Sequence, residues 1–173
     1  TKECPVGTIT AASKSICTVS GFDPLPNGNS GYGNGESNAP DRAGSLGGVV
    51  DDYLQDYRKG GDSGTTGLSH KPDNSLTRAQ VIAKYGSIET WDTSQVTNMQ
   101  YVFFHKKNIN PDIRNWRVDR VLNMYKMFEY TNSFNIDLSS WIVSSVTKMN
   151  YMFQSPASSA TGYTQVLCGN TWV

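Results

Sequence analysis

The feature that most constrains this chain is a 25-residue repeat in its second half. Tryptophan occurs at positions 91, 116 and 141, so the three copies are evenly spaced. Valine, methionine and phenylalanine columns keep the same spacing without a gap. The predicted core comprises Trp91, Trp116, Trp141, Val96, Val121, Val146, Met99, Met124, Met149, Phe103, Phe128 and Phe153. Such a repeat indicates stacked units, because one unit cannot enclose its own apolar face.

Each copy of the repeat contains two hydrophobic periodicities. Apolar and polar residues alternate over 134–138, which predicts a half-buried strand. Its counterpart at 109–113 contains Pro111, which cannot donate to a ladder, so that strand is predicted at an edge. The apolar residues of 121–128 instead follow helical spacing, which predicts a short helix or 3₁₀ segment with Asp119 as its cap.

These elements predict an α/β fold: a short leucine-rich-repeat-like solenoid in which each coil has one short parallel strand and one short helix or 3₁₀ segment. We expect four regions along the chain. They are an irregular Gly/Asn/Pro-rich arm at 1–45 with a Cys4–Cys17 loop, a helical capping region at 46–86, the solenoid at 87–153, and a C-terminal cap or tail at 154–173.

Two helices are predicted in the capping region. Apolar residues at 46, 49, 50, 53 and 54 have the spacing of one helix face, despite Gly47 and Gly48. A second helix is predicted over 76–85, with Asn74 or Ser75 as its N-cap and Gly86 as its C-terminal stop. The expected buried stripe of this second helix consists of Leu76, Ala79, Ile82 and Ala83.

The repeats resemble a known family. The stretches WDTSQVTNMQYVF, WRVDRVLNMYKMF with NSFNIDLSS, and WIVSSVTKMNYMF are similar to BspA-like, DUF285-type surface-protein repeats. Such repeats are common in bacterial surface proteins and in proteins of algae and other protists. The middle copy departs from the pattern at Asp119 and Leu122, where the family has Ser and Thr. The resemblance covers about residues 76–153. It implies a leucine-rich-repeat-like fold and, in some members, surface display or adhesion, and it implies no catalytic residues.

The chain has three cysteines, at positions 4, 17 and 168. Cys4 and Cys17 bracket a short loop with Pro5 and Gly7, which predicts a disulfide in an oxidising compartment. The protein is therefore expected to be secreted, displayed at a cell surface or held in an organellar lumen. The alternative is three reduced thiols in a cytoplasmic protein. In the disulfide interpretation, Cys168 is left free or bonds to a partner chain.

The charge balance and the absence of motifs limit the function. Fifteen basic and fifteen acidic residues cancel, so nothing steers the chain toward nucleic acid. No apolar run reaches the roughly 20 residues that span a bilayer. No catalytic or cofactor-binding motif occurs, so we expect a protein that is not an enzyme and has no cofactor.

The expected function is a protein–protein interaction module or an accessory structural subunit of a larger extracytoplasmic or organellar assembly. The expected partners are other protein chains, including a large membrane-associated complex contacted by the arm at 21–48, because such a polar segment orders by lying against a neighbour. A cell-surface adhesion protein is the alternative. An enzyme of unrecognised class is the less favoured one.

The acidic residues of the predicted strands offer a weak metal site. Asn110, Asp112, Asn135 and Asp137 would share one strand face, so Asp112 and Asp137 are candidates for a Ca²⁺ or polar-ligand strip. The bland alternative is that these side chains bond neighbouring backbone, which Asn and Asp commonly do at turns. Two carboxylates without further acids make a poor calcium site, so no metal is expected.

The positions that differ between copies are the candidate partner-binding residues. They follow the predicted helical segment and should cluster on one rim, where aromatic and charged groups are typical of interfaces. The set consists of Phe104, His105, Lys106, Lys107, Glu129 and Tyr130. The alternative is that they are solvated loop tips without a partner.

Overall fold

The computed structural model describes residues 23–26, 45–56, 74–106, 108–155, 163–165, 167 and 172. In these ranges, two α-helices precede the stacked part of the chain: α1 at Leu46–Leu54 and α2 at Arg78–Tyr85, followed by a 3₁₀ helix at Ile88–Thr90. No helix in the described ranges is long and apolar enough to cross a membrane.

Helix α1 forms where the apolar spacing predicts it, so that prediction is confirmed. Ser45 is its N-cap, and the Ser45 hydroxyl accepts a hydrogen bond from the Gly48 N–H at 3.1 Å. Gly47 and Gly48 are buried together with the apolar face. The helix ends at Gln55, whose φ of 53° is left-handed. The spacing of the apolar residues therefore correctly predicts which side of α1 is buried.

Helix α2 begins later than the sequence predicts, and its predicted cap and buried stripe are wrong. Thr77 is the N-cap, because its side chain and that of Gln80 satisfy each other's backbone N–H in a capping box. Gly86 ends the helix as predicted. The one buried residue within the helix is Val81. The expected stripe fails because Ala79, Ile82 and Ala83 are exposed and Leu76 precedes the helix.

Three stretches of the repeat form rows of overlapping turns, which we call the first row (99–105), the second row (124–130) and the third row (149–155). Within a row, every second N–H bonds back to the third residue before it, as from Val102 to the Met99 carbonyl at 3.3 Å and from Phe104 to the Tyr101 carbonyl at 3.2 Å. In the first two rows, the N–H groups of the residues between these bond across to carbonyls of the next copy of the repeat, as from Phe103 to Met127 at 2.9 Å. The Gln100 and Tyr125 N–H groups instead donate to the side-chain oxygens of Asn98 and Asn123. Alternate peptide groups thus form the turns within a row and the hydrogen bonds that connect neighbouring rows.

Several turns place a residue other than glycine in the left-handed region. The affected residues within the rows have φ between 55° and 60° and are Tyr101, His105, Lys126, Tyr130 and Tyr151. A turn with φ above zero at its third position usually has Gly or Asn there, since a left-handed residue with a Cβ costs roughly 1–2 kcal/mol. The hydrogen bonds of the rows hold these residues in place.

The predicted α/β solenoid of strands and helices is wrong. The described residues contain no strand, and the parallel pairing is limited to isolated bridges between Asn98 and Asn123 and between Asn123 and Lys148. Alternate N–H groups close turns within a row, so the backbone there is neither extended nor helical, and Asp119 caps no helix. The predicted strands at 109–113 and 134–138 also form no ladder. Between these two segments, the Asn135 N–H donates to the side-chain oxygen Asn110 Oδ1 at 2.9 Å, whereas a strand ladder would use a backbone carbonyl as the acceptor.

The repeat columns form the core between the turn rows and the segments that connect them. Phe103, Phe128 and Phe153 stack with ring centroids 5.2 and 5.5 Å apart. Trp91 stacks on Trp116 at 6.0 Å. Nine of the twelve predicted core residues are buried; Val146, Met149 and Phe153, in the last copy, are partly buried against the core.

The tryptophan indoles also tie the layers together. Trp116 Nε1 donates to the Ile88 carbonyl at 2.8 Å, and Trp141 Nε1 donates to the Ile113 carbonyl at 3.2 Å. Trp91 makes the corresponding bond to the Gly86 carbonyl at 2.9 Å. A buried indole N–H without an acceptor would be costly, so each layer satisfies its tryptophan from the backbone before it.

Candidate functional site

A second aromatic cluster lies outside the main core. Tyr101 and Phe104 are buried in it, and Tyr125 and Tyr130 are partly buried against them. Ring contacts join His105 and Tyr151 to this cluster, and Lys126 lies against three of its rings. We call this surface the aromatic face; it consists of Tyr101, Phe104, His105, Tyr125, Lys126, Tyr130 and Tyr151.

The turn rows bring the rings of the aromatic face together edge to face. Tyr125 lies between Tyr101 and Tyr151, with ring centroids 5.5 and 6.1 Å from theirs. His105 lies between Phe104 and Tyr130, at 4.3 and 4.5 Å. Edge-to-face contacts of this kind add roughly 0.5–1.5 kcal/mol each beyond area burial. The face therefore has a fixed shape before any partner binds.

Lys126 is the cation of the aromatic face. Its Nζ lies 5.5 Å from the ring centroids of Tyr125 and Tyr151, and 3.1 Å from Glu129 Oε2. Partial burial disfavours the charged ammonium, but the hydrogen bond and the attraction of Glu129 outweigh that cost. The pKa of Lys126 consequently lies above its ordinary value, and the side chain stays charged.

The environment of Tyr101 keeps its phenol protonated. Burial raises the pKa of Tyr101 above its ordinary value, and the neighbouring Tyr125 raises it further. Tyr151 differs, because 57% of it is exposed. The aromatic face thus grades from a buried edge at Tyr101 and Phe104 to an open edge at Tyr151.

The predicted partner-binding residues do not form one exposed rim. The predicted exposure of Phe104, Lys106 and Glu129 is wrong, because all three residues are buried. His105 and Tyr130 are partly buried and lie on the aromatic face. Lys107 lies outside the described residues. The rim prediction fails because the turn rows fold these positions onto their neighbours instead of projecting them as loops.

Lys106 is the most deeply buried charge in the described chain. Its side chain is 0% exposed, and its Nζ lies 2.7 Å from Asp51 Oδ1 and 3.8 Å from Asp56 Oδ1. Nζ also donates to the Asp56 carbonyl. Buried ammonium groups require such partners, since an unpaired one is strongly destabilising. Lys106 therefore joins α1 and the residue Asp56 after it to the chain just beyond the first row, and it is not part of an open surface.

The acidic candidates bond to their own turns. Asp112 Oδ2 pairs with Arg114 Nη2 at 2.6 Å, and the Asp137 Oδ1 accepts from the Ser139 N–H at 2.9 Å. The hydrogen bond from Arg114 lowers the pKa of Asp112, and that from Ser139 lowers the pKa of Asp137. Among the described residues, no group of three or more His, Cys, Asp or Glu side chains could hold a metal ion. These geometries match the alternative in which the acids stabilise turns.

The predicted Cys4–Cys17 disulfide lies outside the residues that the structure describes. Cys4, Cys17 and Cys168 all lie in ranges that the structure does not describe, as does most of the arm at 21–48. Within that arm, residues 23–26 and 45–48 are described, and Asp23 donates its N–H to the Lys84 carbonyl at 2.8 Å. Leu25 packs against the core. Among the described residues of the arm, Asp23 thus contacts α2 at Lys84.

Sequence reasoning missed Tyr101, Tyr125, Lys126 and Tyr151. Tyr101, Lys126 and Tyr151 occupy one column of the repeat. This column comes two positions after the methionine column, so its side chains leave the core once the turns form. The signal available in the sequence was that large side chains occupy this column in all three copies, although the column does not belong to the core.

The geometry defines a class of protein made of stacked turn rows with an aromatic outer face. The family model described as "Mycoplasma protein of unknown function, DUF285" matches residues 74–167. That match covers more than half of the chain, and the chain belongs to the DUF285 family. None of the curated proteins and none of the solved structures with which the chain was compared matches it.

Proposed function

We propose that this protein is a non-catalytic interaction module that binds another protein chain through the aromatic face. The observation that supports this proposal is the cluster of Tyr125, Lys126, Tyr130 and Tyr151 outside the main core. Tyrosine is enriched where interfaces concentrate their binding energy, because it contributes large area at a low entropic cost. Tyr151 is largely exposed although its ring contacts Tyr125.

The charge and the fixed conformation of the aromatic face favour the binding of a protein partner. Its cation is held by Glu129 and three rings, so Lys126 is oriented before binding and loses little conformational freedom in a complex. A partner with an acidic or carbonyl-rich apolar surface would contact both the tyrosine edges and the ammonium. The family is one of unknown function, so the partner has to be identified experimentally.

The test is native purification of the tagged full chain from its source cells, with quantitative mass spectrometry of the chains that co-purify. Tyr130→Ala and Tyr151→Ala should each reduce the recovery of a partner about tenfold or more, as expected for interface anchors. Ile142→Ala is the matched control, because Ile142 is 43% exposed and lies outside the aromatic face.

Two outcomes decide the proposal. Loss of the same co-purifying chains from both tyrosine variants, with retention by Ile142→Ala, would support it. Full retention by folded tyrosine variants would refute it. A chain that purifies without any companion would also contradict it and favour the cell-surface adhesion alternative.

A further inference from the structure

The ammonium of Lys126 has mostly aromatic neighbours. Its Nζ lies 5.5 Å from the ring centroids of Tyr125 and Tyr151 and 5.9 Å from the centroid of Phe104. The oxygen that contacts it is Glu129 Oε2, at 3.1 Å. In the described part of the chain, this ammonium makes no other hydrogen bond or ion pair. One polar partner thus serves a group that carries three N–H donors.

The rings lie about one methyl group away from the ammonium. An N–H bond of about 1 Å leaves its hydrogen well short of a ring whose centroid is 5.5 Å from Nζ. A methyl carbon bonded to Nζ at about 1.5 Å would lie about 4 Å from the centroid to which it points. Carbon atoms in van der Waals contact are separated by roughly 3.5–4.0 Å. The space around Nζ therefore fits methyl groups better than bare N–H groups.

The pair with Glu129 determines how many methyl groups fit. Glu129 is buried, so its carboxylate requires a cation or a hydrogen-bond donor. One N–H retained on Nζ continues to serve that carboxylate, whereas three methyl groups would remove it. Two methyl groups replace the two N–H groups that have no oxygen acceptor among the described residues. Methylation keeps the positive charge, so the ion pair and the attraction of the rings persist.

We propose that Lys126 is a site of lysine methylation and that its modified form is dimethyl-lysine. Aromatic rings hold methylated ammonium groups in proteins, because the ring faces attract the charge and contact the methyl groups. In the dimethylated state, the methyl groups fill the space between Nζ and the rings of the aromatic face. This modification goes beyond the proposed function and does not depend on whether the aromatic face binds a partner.

The methyl groups come from a sulfonium methyl donor, brought by a separate methyltransferase. The ammonium first loses one proton to water. The neutral Nζ then attacks the methyl carbon, and the C–S bond breaks with its electron pair remaining on the sulfur of the departing thioether. The new N–C bond restores the positive charge on nitrogen, and a second transfer gives the dimethylated ammonium. The side chain of Lys126 is 25% exposed, which gives the donor access to it.

The first test is mass spectrometry of the full chain purified from its source cells. An endoprotease that does not cleave at lysine yields the same peptide whether or not Lys126 is modified. We expect two added methyl groups on Lys126. Lys148 is the matched control, because it is exposed and lies over no aromatic ring in the described ranges, and it should carry none.

The second test measures the fit of the methyl groups directly. All lysines of the recombinant full chain are dimethylated chemically with isotope-labelled formaldehyde and a borane reductant, and the methyl groups are observed by NMR. Ring faces shield nearby protons, so the methyl signals of Lys126 should lie upfield of those of Lys148. They should move toward the Lys148 position in Tyr151→Ala, which removes one of the rings. Lys126→Arg identifies the signals by their loss.

The outcomes separate this inference from the proposed function. Dimethyl-lysine at position 126 of the native chain, together with upfield methyl signals in the labelled chain, would support it. Unmodified Lys126 in the native chain, any other methylation state, or equal methylation of Lys148 would overturn it. Methyl signals of Lys126 that coincide with those of Lys148 would also overturn it, because the rings would then not surround Nζ. None of these measurements depends on the recovery of a partner.

Discussion

Replacing Lys106 with methionine should destabilise the protein more than any surface change. The variant keeps the length of the side chain but leaves Asp51 buried without its cation. At the observed 2.7 Å, the attraction between the charges is about 6 kcal/mol for an effective dielectric constant of about 20. Desolvation of both groups offsets part of this attraction. The expected loss is roughly 3–5 kcal/mol, the range for removing one member of a buried pair.

The assay is urea unfolding followed by tryptophan fluorescence, since Trp91, Trp116 and Trp141 all lie in the core. For a chain of this size, the expected loss corresponds to a fall in melting temperature of about 6–20 °C. Lys148→Met is the control, because Lys148 is exposed, and it should change the free energy of unfolding by less than about 0.5 kcal/mol.

A second substitution tests the cause of the loss. Replacing Asp51 with leucine in the Lys106→Met background removes the uncompensated charge, and it should recover at least half of the lost free energy, because buried ion pairs exchange well for apolar pairs. Equal midpoints for Lys106→Met and Lys148→Met would show that the pair is not buried as described. Strict additivity in the double variant would show that Lys106 and Asp51 are not coupled.

Three further predictions concern the cap, the turns and a surface ion pair. Thr77→Ala should lower the free energy of unfolding by about 1 kcal/mol, whereas Ser75→Ala should change it by less than about 0.5 kcal/mol, and equal effects would restore Ser75 as the cap. Tyr151→Val should be about 1–2 kcal/mol less stable than Tyr151→Gly, because only glycine accepts the left-handed backbone without strain, and thermal melts that coincide would contradict the turn assignment. Arg114→Ala should raise the pKa of Asp112 toward its ordinary value of 3.8 in an NMR titration. Because the folded pKa is depressed, the stability that this pair adds is present above the unfolded pKa and lost as pH falls through the folded one, so the stability difference between wild type and Arg114→Ala should vanish in acid.

The cap of α2 shows how far local sequence reasoning extends. Gly86 was predictable as a helix end because no other residue type serves that position so often. The N-terminus was ambiguous, because residues 74–77 offer several polar side chains that could accept the first N–H groups. Only the structure shows that Thr77 and Gln80 satisfy each other.

The sequence by itself determined which repeat columns contribute to the core of the stack. A regular period in Trp, Met and Phe has one physical solution, in which equivalent side chains contact those of the next copy, as the ladder of Phe103, Phe128 and Phe153 does. The backbone between those columns was not determined in the same way. Alternating and helical spacings describe which side chains face inward, and turn rows produce the same inward pattern as strands or short helices.

Only the tertiary structure decided the backbone and the fate of the polar residues. Left-handed residues such as Tyr101 and Lys126 are stable because hydrogen bonds to the neighbouring row compensate their strain, and local sequence contains no trace of that compensation. In the sequence, Lys106 likewise resembles a solvated surface residue. In the structure it is buried and pairs with Asp51, which is distant in the chain. Burial of a charge depends on partners that are distant in sequence, so the fold had to place them before their role was visible.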